Sequence, residues 1–227
     1  MKNLLIKRLL LPMPFLLLVA AGTAWGDVVN IGDASFENAV TPAGTYSYGG
    51  PACLHGSGCA IGTSAWTYSD HAVLVGNGSG FGNPNAPDGV QAVALQDASA
   101  AHGEISQVLT GLNKGGSVTF TFDAAARTAQ DGANEIGVYL NGAMILDLSQ
   151  GSLTGSYQAF TTNAITITST SETLTFAGLT DPSGDHTTFI DNVTGMQTAA
   201  VPEAGLYGVL AIGLSGLLIA FRRRKIA

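Results

Sequence analysis

The feature that most constrains the fold is a strict alternation of apolar and polar residues in the middle of the chain. In the stretch GGSVTFTFDAAA, Val118, Phe120 and Phe122 lie on one face of an extended backbone, and the threonines between them lie on the other. This period of two is that of a half-buried β-strand. Between Val28 and Thr194 no stretch shows the 3.6-residue period of an amphipathic helix. The sequence therefore predicts an all-β domain.

Turn residues divide this pattern into short strands. NEIGVYLNGAMILDL alternates and then turns at Asn141-Gly142, the dipeptide most typical of a tight β-hairpin. AITITSTSETLTFAGL predicts a second hairpin, in which Ile165 and Ile167 face the apolar residues of its second half. Further strands are predicted in DGVQAVALQD, HGEISQVLTGL and TTFIDNVTG. Together they predict an antiparallel β-sandwich, a jelly roll of about eight strands or more, over residues 27–197.

Residues 42–87 are richer in Gly, Ser, Tyr and Asn than the rest of the domain. We predict one long loop there, and such loops are usually functional or disordered. The loop contains Cys53 and Cys59, which predict a local disulfide in an oxidising compartment. The alternative is two unpaired thiols, because two cysteines alone do not make a zinc site.

The charges of the chain are unevenly distributed. Residues 27–200 contain fifteen Asp and Glu but only two cations, Lys114 and Arg127, so their formal net charge is −13, against −7 for the whole chain. A domain with so few cations cannot neutralise nucleic-acid phosphates, which excludes a nucleic-acid partner. The acidity is compatible with cations or with neutral ligands such as glycans.

Residues 1–26 predict a secretory signal peptide. Basic residues come first, an apolar stretch follows at 9–21, and small residues come last. Ala24 and Gly26 fit the small-residue positions for cleavage before Asp27. Cleavage after Ala24 and an uncleaved N-terminal anchor are the alternatives. The signal predicts export across the inner membrane.

Residues 198–227 predict a membrane-targeting tail. Residues 205–221 carry no charge and are barely long enough for a transmembrane helix, which needs ~20 residues. Four cations follow directly: Arg222, Arg223, Arg224 and Lys225. By the positive-inside rule these cations stay in the cytoplasm, so the domain lies on the outer side of the membrane.

This tail resembles the PEP-CTERM sorting signal of Gram-negative bacteria, in which a Val-Pro-Glu-Pro-like motif precedes a short apolar helix and an arginine cluster. Val201, Pro202 and Glu203 match the motif, and Ala204 stands where a second proline is usual. The resemblance implies processing by an exosortase, a membrane-embedded cysteine transpeptidase. It also implies a cell-surface or matrix protein in an organism that makes extracellular polysaccharide. The alternative is an unprocessed membrane anchor.

The body resembles galactose-binding-like jelly rolls, which include many carbohydrate-binding modules and the choice-of-anchor envelope proteins. The resemblance rests on NIGDASFEN, AWTYSDHAVLV, APDGVQAVALQD, GEISQVLTGL and TTFIDNVTG, which follow the family's order. In such folds the opening Phe-Glu and closing Asp-Asn strands lie side by side and often hold a structural Ca²⁺. The resemblance implies calcium ligation by Glu37 and Asp191, with Asp33 and Asp97 as weaker candidates. The alternative is that these are polar groups at strand ends.

The sequence lacks the motifs of common catalytic sites. It has no Gly-x-Ser-x-Gly nucleophile elbow and no His-Glu-x-x-His zinc motif. The segment DPSGDH begins like a calcium loop, but the twelfth position is Asn192 rather than glutamate, which excludes an EF-hand. We therefore predict a protein that is not an enzyme. A hydrolase with an unrecognised site is the alternative.

Aromatic side chains are the candidate glycan contacts, because sugar rings stack on large apolar faces. The candidates are Tyr46, Tyr48, Trp66 and Tyr68, and a core position is the alternative for Trp66. The sequence thus predicts a secreted matrix protein whose domain binds extracellular polysaccharide weakly. A structural or adhesive matrix protein without a specific ligand site is the alternative.

Overall fold

A computed structural model describes residues 26–49, 64–69, 71–98, 101–127, 134–149, 151–179, 185–200 and 213–215. The predicted disulfide, the sorting motif, the basic tail and residues 1–25 of the predicted signal peptide lie outside these ranges. Within them, no helix is both long and apolar enough to cross a membrane.

The described part of the chain consists mainly of short strands. They are β1 Asp27–Val28, β2 Tyr46–Tyr48, β3 Thr67–Tyr68, β4 Ala72–Gly76, β5 Gln91–Ala98, β6 Ala101–His102, β7 Glu104–Thr110, β8 Ser117–Ala126, β9 Ile136–Leu140, β10 Ala143–Leu148, β11 Gln158–Thr161, β12 Ile165–Thr166, β13 Ser171–Gly178 and β14 Asp185–Gln197.

These strands form two sheets. The nine-stranded sheet has the order β11-β8-β14-β5-β4-β2, with β1 paired to β14, β12 to β8 and β6 to β5. The five-stranded sheet has the order β10-β9-β13-β7-β3. All pairings among these strands are antiparallel. The prediction of an all-β, antiparallel fold is confirmed.

The core lies between the two sheets and follows the predicted alternation. On β8, Val118, Phe120 and Phe122 are buried, and the threonines between them are half-buried. Phe122 meets Phe176 of the other sheet edge-on, with the ring centroids 5.0 Å apart. Full burial of each side chain of this size stabilises the folded state by about 1.5–3 kcal/mol. Apolar burial between the sheets is therefore what holds them together.

The hairpin predicted at Asn141-Gly142 is confirmed. Leu140 of β9 pairs with Ala143 of β10. Asn141 and Gly142 have φ values of 49° and 77°. Both values fall in the left-handed region that a two-residue type I′ turn requires, and Asn and Gly tolerate it best.

The second predicted hairpin is wrong. Ile165 in β12 pairs with Val118 of the nine-stranded sheet, whereas β13 pairs with β7 and β9 in the other sheet. The buried carboxylate of Glu172 accepts hydrogen bonds from the N–H of Thr168, the hydroxyl of Thr168 and the N–H of Ser169, at 2.7, 2.7 and 2.9 Å. The turn that Glu172 holds carries the chain from one sheet to the other.

The prediction of one long loop over residues 42–87 is also wrong. This stretch contains β2, β3 and β4, and β4 is buried on both faces. Phe81, from the segment 77–90, packs with Val73 and Val75 on the outer face of the nine-stranded sheet. The Arg127 guanidinium lies 5.5 Å from the centre of the Phe81 ring. Because β4 is covered on both sides, it carries apolar residues on both faces and shows no alternation.

Candidate functional site

Trp66 and Tyr68 lie in the core, which corrects their assignment as ligand contacts. Trp66 is 4% exposed, and its ring centroid lies 5.6 Å from that of Phe36 and 5.9 Å from that of Phe176. Its indole N–H donates to the carbonyl of Asp33 at 3.0 Å. Tyr68 is 7% exposed, and burial raises its pKa above the usual range. Neither ring offers a face to a sugar.

Tyr46 and Tyr48 lie on β2, at an edge of the nine-stranded sheet. Their centroids are 5.9 Å apart, and those of Tyr46 and Phe81 are 4.9 Å apart. The hydroxyl of Tyr48 donates to the side-chain carbonyl of Gln96 at 3.1 Å. Tyr46 is 38% exposed, while Tyr48 and Phe81 cover the sheet beneath them. Of these rings, Tyr46 is the most accessible to a ligand.

A groove of about 630 Å³ crosses the outer face of the five-stranded sheet. We call it the Tyr139 groove. It is lined by His102, Glu104, Tyr139, Gly142, Thr175, Ala177, Gly178 and Leu179. The lining residues come from β6, β7, β9, β13 and the turns next to them, so the groove crosses several strands.

The ring of Tyr139 lies along the sheet rather than projecting from it. A Cβ atom on Gly137 would lie 2.7 Å from Cε2 and 2.8 Å from the hydroxyl oxygen of Tyr139. Only glycine at 137 therefore leaves room for the ring in this position. Thr175 is the cross-strand neighbour of Tyr139, and Ser106 is the neighbour of Thr175. On its other side, the cross-strand neighbour of Tyr139 is Met144, which is 48% exposed. The ring thus lies between hydroxyl side chains and a partly exposed apolar one.

Acidic and imidazole groups lie at one end of the Tyr139 groove. Glu104 is exposed there, at the start of β7. His102 Nδ1 lies 3.1 Å from Oδ1 of Asp97, whose side chain is 2% exposed. Burial raises the pKa of Asp97 to about 6, although the hydrogen bond from His102 works against it. Asp97 packs against Gly178, where a Cβ would lie 2.5 Å from both carboxylate oxygens. The buried Asp97 thus fixes the orientation of His102 at the groove.

Neither cation of residues 27–200 lines this groove. Arg127 lies over Phe81 on the outer face of the other sheet. Lys114 lies in the turn after β7, at the far end of that strand from Glu104. A phosphate, sulfate or uronate in the groove would therefore find no lysine or arginine, and only His102, which is a cation only when protonated.

The four calcium candidates lie at three different places. Asp97 bonds His102, whereas Asp33 accepts the N–H of Asn38 at 2.9 Å and the hydroxyl of Ser64 at 2.6 Å. The carboxylates of Asp33 and Asp97 are therefore bonded to groups other than Glu37 and Asp191. Among the described residues, no group of three His, Cys, Asp or Glu could hold a metal ion. Asp33 and Asp97, the weaker candidates, thus have other hydrogen-bond partners, and calcium ligation by Glu37 and Asp191 stays a prediction.

Glu37 and Asp191 are the two candidates that the fold brings together, at the segment before β5. Glu37 accepts the N–H groups of Val90 and Gln91 at 2.8 and 3.0 Å, and Asp191 accepts the N–H of Asp88 at 3.0 Å. Asp191 is fully buried. Its pKa is raised to about 7, chiefly by burial and also by the nearby carboxylates of Asp88 and Glu37, against the hydrogen bonds from the N–H groups of Asp88 and Asn192, which lower it. This pair is an incomplete oxygen ligand set that main-chain carbonyls could complete.

Comparison with known proteins finds similar folds but does not identify a family. No protein-family model and no curated protein matches the sequence. A Stig cyclase from Fischerella sp. TAU is 14% identical, covers 78% of this chain and 100% of its own, and gives a TM-score of 0.55. A second cyclase structure from Fischerella sp. TAU, 14% identical with the same coverage, gives 0.51. A xylan-binding domain from Paenibacillus barcinonensis is 12% identical over 71% of this chain and 100% of its own, with a TM-score of 0.45. At 14% identity the likeness to the two cyclase structures shows the fold alone.

Proposed function

We propose that this domain is a non-catalytic module that binds polysaccharide in the Tyr139 groove. The observation that carries the proposal is the Tyr139 ring, which lies along the sheet beside Thr175 and lines a groove that also holds Glu104. A sugar ring has an apolar C–H face that suits an aromatic face. Its hydroxyls suit carboxylate and hydroxyl partners. The groove offers both kinds of contact within one surface.

The length of the groove supports a chain of sugars rather than one ring. Leu174 pairs with Leu140, and Gly178 pairs with Ile136, four residues further along β13. At ~3.3 Å per residue, these two pairs are about 13 Å apart. The groove extends beyond the first of them to Gly142. A polymer with repeated contacts fits such a surface better than a monosaccharide.

The structural and hydrolytic alternatives have less support. A matrix protein without a ligand site does not require an aromatic ring that lies along the sheet over a glycine at 137. A serine hydrolase needs a hydroxyl presented to His102. Ser69 lies close by, but its hydroxyl donates to the His102 carbonyl at 3.2 Å and accepts the N–H of Glu104 at 2.8 Å. Both hydrogen bonds of the Ser69 hydroxyl are therefore made to main-chain groups, and neither is made to the imidazole of His102.

Affinity electrophoresis tests the proposed binding. The domain of residues 27–197 is expected to be retarded in a native gel that contains the producing organism's extracellular polysaccharide. Bovine serum albumin in the neighbouring lane gives the reference mobility. Unchanged mobility of the domain at all polysaccharide concentrations would reject glycan binding and favour the structural alternative.

We also propose a structural Ca²⁺ held by Glu37 and Asp191. The support is a fully buried carboxylate, Asp191, that faces Asp88 and Glu37. Neither Lys114 nor Arg127 is near enough to contribute to the interactions that shift its pKa. A bound divalent cation would offset both the free-energy cost of burying this charge and its repulsion by the neighbouring carboxylates.

Removal of calcium is expected to lower the melting temperature by about 5–10 °C from its value at a Ca²⁺ concentration about 100 times Kd, since such binding contributes ~2.7 kcal/mol. Differential scanning calorimetry with EDTA and with added Ca²⁺ measures the change. Asp191→Asn is expected to lose the response, and the control Asp33→Asn is expected to keep it. Equal melting of the wild type with and without Ca²⁺ would reject the calcium site.

For the location of the protein we propose export followed by exosortase sorting. The support is the acidic, cation-poor body between the apolar, basic ends of the chain, together with the Val201-Pro202-Glu203 motif. Before processing, the C-terminal helix anchors the chain in the membrane. Mass spectrometry of the exported protein tests this: deletion of the exosortase gene should leave residues 205–227 attached. An identical C-terminus in both strains would leave a permanent anchor as the explanation.

A further inference from the structure

The Tyr139 groove is acidic as well as aromatic. Glu104 is an exposed carboxylate within its lining, and the buried carboxylate of Asp97 lies behind His102. None of its lining residues is lysine or arginine. The two cations of residues 27–200 lie on the outer face of the other sheet and at the far end of β7. A ligand in the groove therefore meets an exposed carboxylate and no lysine or arginine, and His102, which is held by Asp97, is a cation only when protonated.

This charge distribution discriminates between classes of polysaccharide. A uronate or sulfated polymer would bring its own negative charges next to Glu104 and into the field of a body with net charge −13. A neutral polymer would gain C–H contacts with Tyr139 and hydroxyl contacts, but no contact between opposite charges. A polymer with protonated amino groups would gain an ammonium–carboxylate contact with Glu104 and a cation–π contact with the face of Tyr139. Amino groups are thus the substituents that interact favourably with both the carboxylate of Glu104 and the ring of Tyr139.

We infer that the Tyr139 groove selects a polysaccharide that carries free amino groups, such as a partly de-N-acetylated hexosamine polymer, and that Glu104 is the residue that determines this selectivity. The inference rests on the proposed saccharide binding in the same groove. It adds the chemical class of the ligand, which neither the aromatic ring nor the shape of the groove specifies.

Calorimetric titration with three tetrasaccharides tests the inference. They are a β-1,4-linked glucosamine oligomer at slightly acid pH, its fully N-acetylated counterpart and a galacturonate oligomer. The glucosamine oligomer is expected to bind about three- to fivefold more tightly than the N-acetylated one, the upper end of the range for an exposed ion pair. The galacturonate oligomer is expected not to bind. Raising NaCl from about 25 to about 250 mM should remove most of the preference, because salt screens exposed charges.

Glu104→Gln isolates the selecting charge, because it keeps the shape of the side chain. The variant is expected to lose most of the preference for the glucosamine oligomer, keeping only the cation–π contribution of Tyr139, and to bind the N-acetylated one as the wild type does. Asp27→Asn, which removes one exposed negative charge from β1 outside the groove, is the matched control and should keep the preference.

The outcomes separate this inference from the proposed function. Equal binding of the two hexosamine oligomers by the wild type, with no effect of Glu104→Gln, would overturn the selectivity and leave saccharide binding intact. Failure of every oligomer to bind would overturn both. Preferential binding of the galacturonate oligomer would overturn the selectivity outright, because the carboxylate of Glu104 should repel its uronate groups.

Discussion

Replacing Tyr139 with alanine is expected to abolish the retardation of the domain in polysaccharide gels. The ring is the one aromatic surface among the residues that line the groove. Truncating a central aromatic contact of a binding site commonly costs about 2 kcal/mol, or about 30-fold in affinity. A weak site that loses 30-fold falls below detection. Because Tyr139 is half-buried and lies on the outer face, the free energy of unfolding should change by only about 1 kcal/mol.

Two further variants control for this result. Tyr139→Phe keeps the ring and is expected to keep most of the retardation. Tyr46→Ala removes a partly exposed tyrosine from the opposite sheet and is expected to bind like the wild type. Loss of binding in Tyr46→Ala together with normal binding in Tyr139→Ala would move the glycan site to the β2 edge, where Tyr46 and Tyr48 were predicted to act.

Replacing Trp66 with alanine is expected to lower the free energy of unfolding by about 3–5 kcal/mol, the range for large aromatic residues in cores. The ring is 4% exposed and contacts Phe36 and Phe176, so its removal leaves a cavity between the sheets. The carbonyl of Asp33 also loses its indole donor. Urea unfolding followed by circular dichroism measures the change, since the variant lacks the tryptophan needed for a fluorescence probe.

The matched control for this substitution is Trp66→Phe. Phenylalanine refills most of the cavity but cannot donate to Asp33, so the expected loss is smaller than that of alanine. A change below about 1 kcal/mol for Trp66→Ala would mean that the ring is not in the core. In that event the sequence-based assignment of Trp66 to a glycan site would have to be reconsidered.

Local patterns predicted the strands well where one face of a strand is buried and the other is not. The alternation of β8 matched its burial from Ser117 to Ala124, and Asn141-Gly142 formed the expected turn. The same reasoning failed at β4, because a strand that is covered on both faces has no polar side to alternate with. Its cover comes from Phe81, which no local pattern connects with β4.

Pairing between strands was less predictable than the strands themselves. Ile165 and Ile167 were expected to face the next strand in a hairpin, but β12 joins β8 in the other sheet. The deciding contact is the set of hydrogen bonds that Glu172 accepts from the preceding turn. The sequence shows a glutamate there, but not that its carboxylate is buried. The alternation of apolar and polar residues therefore could not distinguish a pairing of β12 with β13 from a pairing of β12 with β8.

The sequence by itself determined the all-β class, the position of most strands, the Asn-Gly turn and the scarcity of cations in the domain. These properties depend on composition or on neighbours within a few residues. Only the tertiary structure decided that Trp66 is buried, that the calcium candidates separate, and that Glu104 and Tyr139 share one groove. The physical reason is that a strand's side-chain alternation is local, whereas pairing and packing join residues far apart in the chain. Tyr139 could be predicted to point outward, but its ring lies flat only because Gly137 leaves space beneath it.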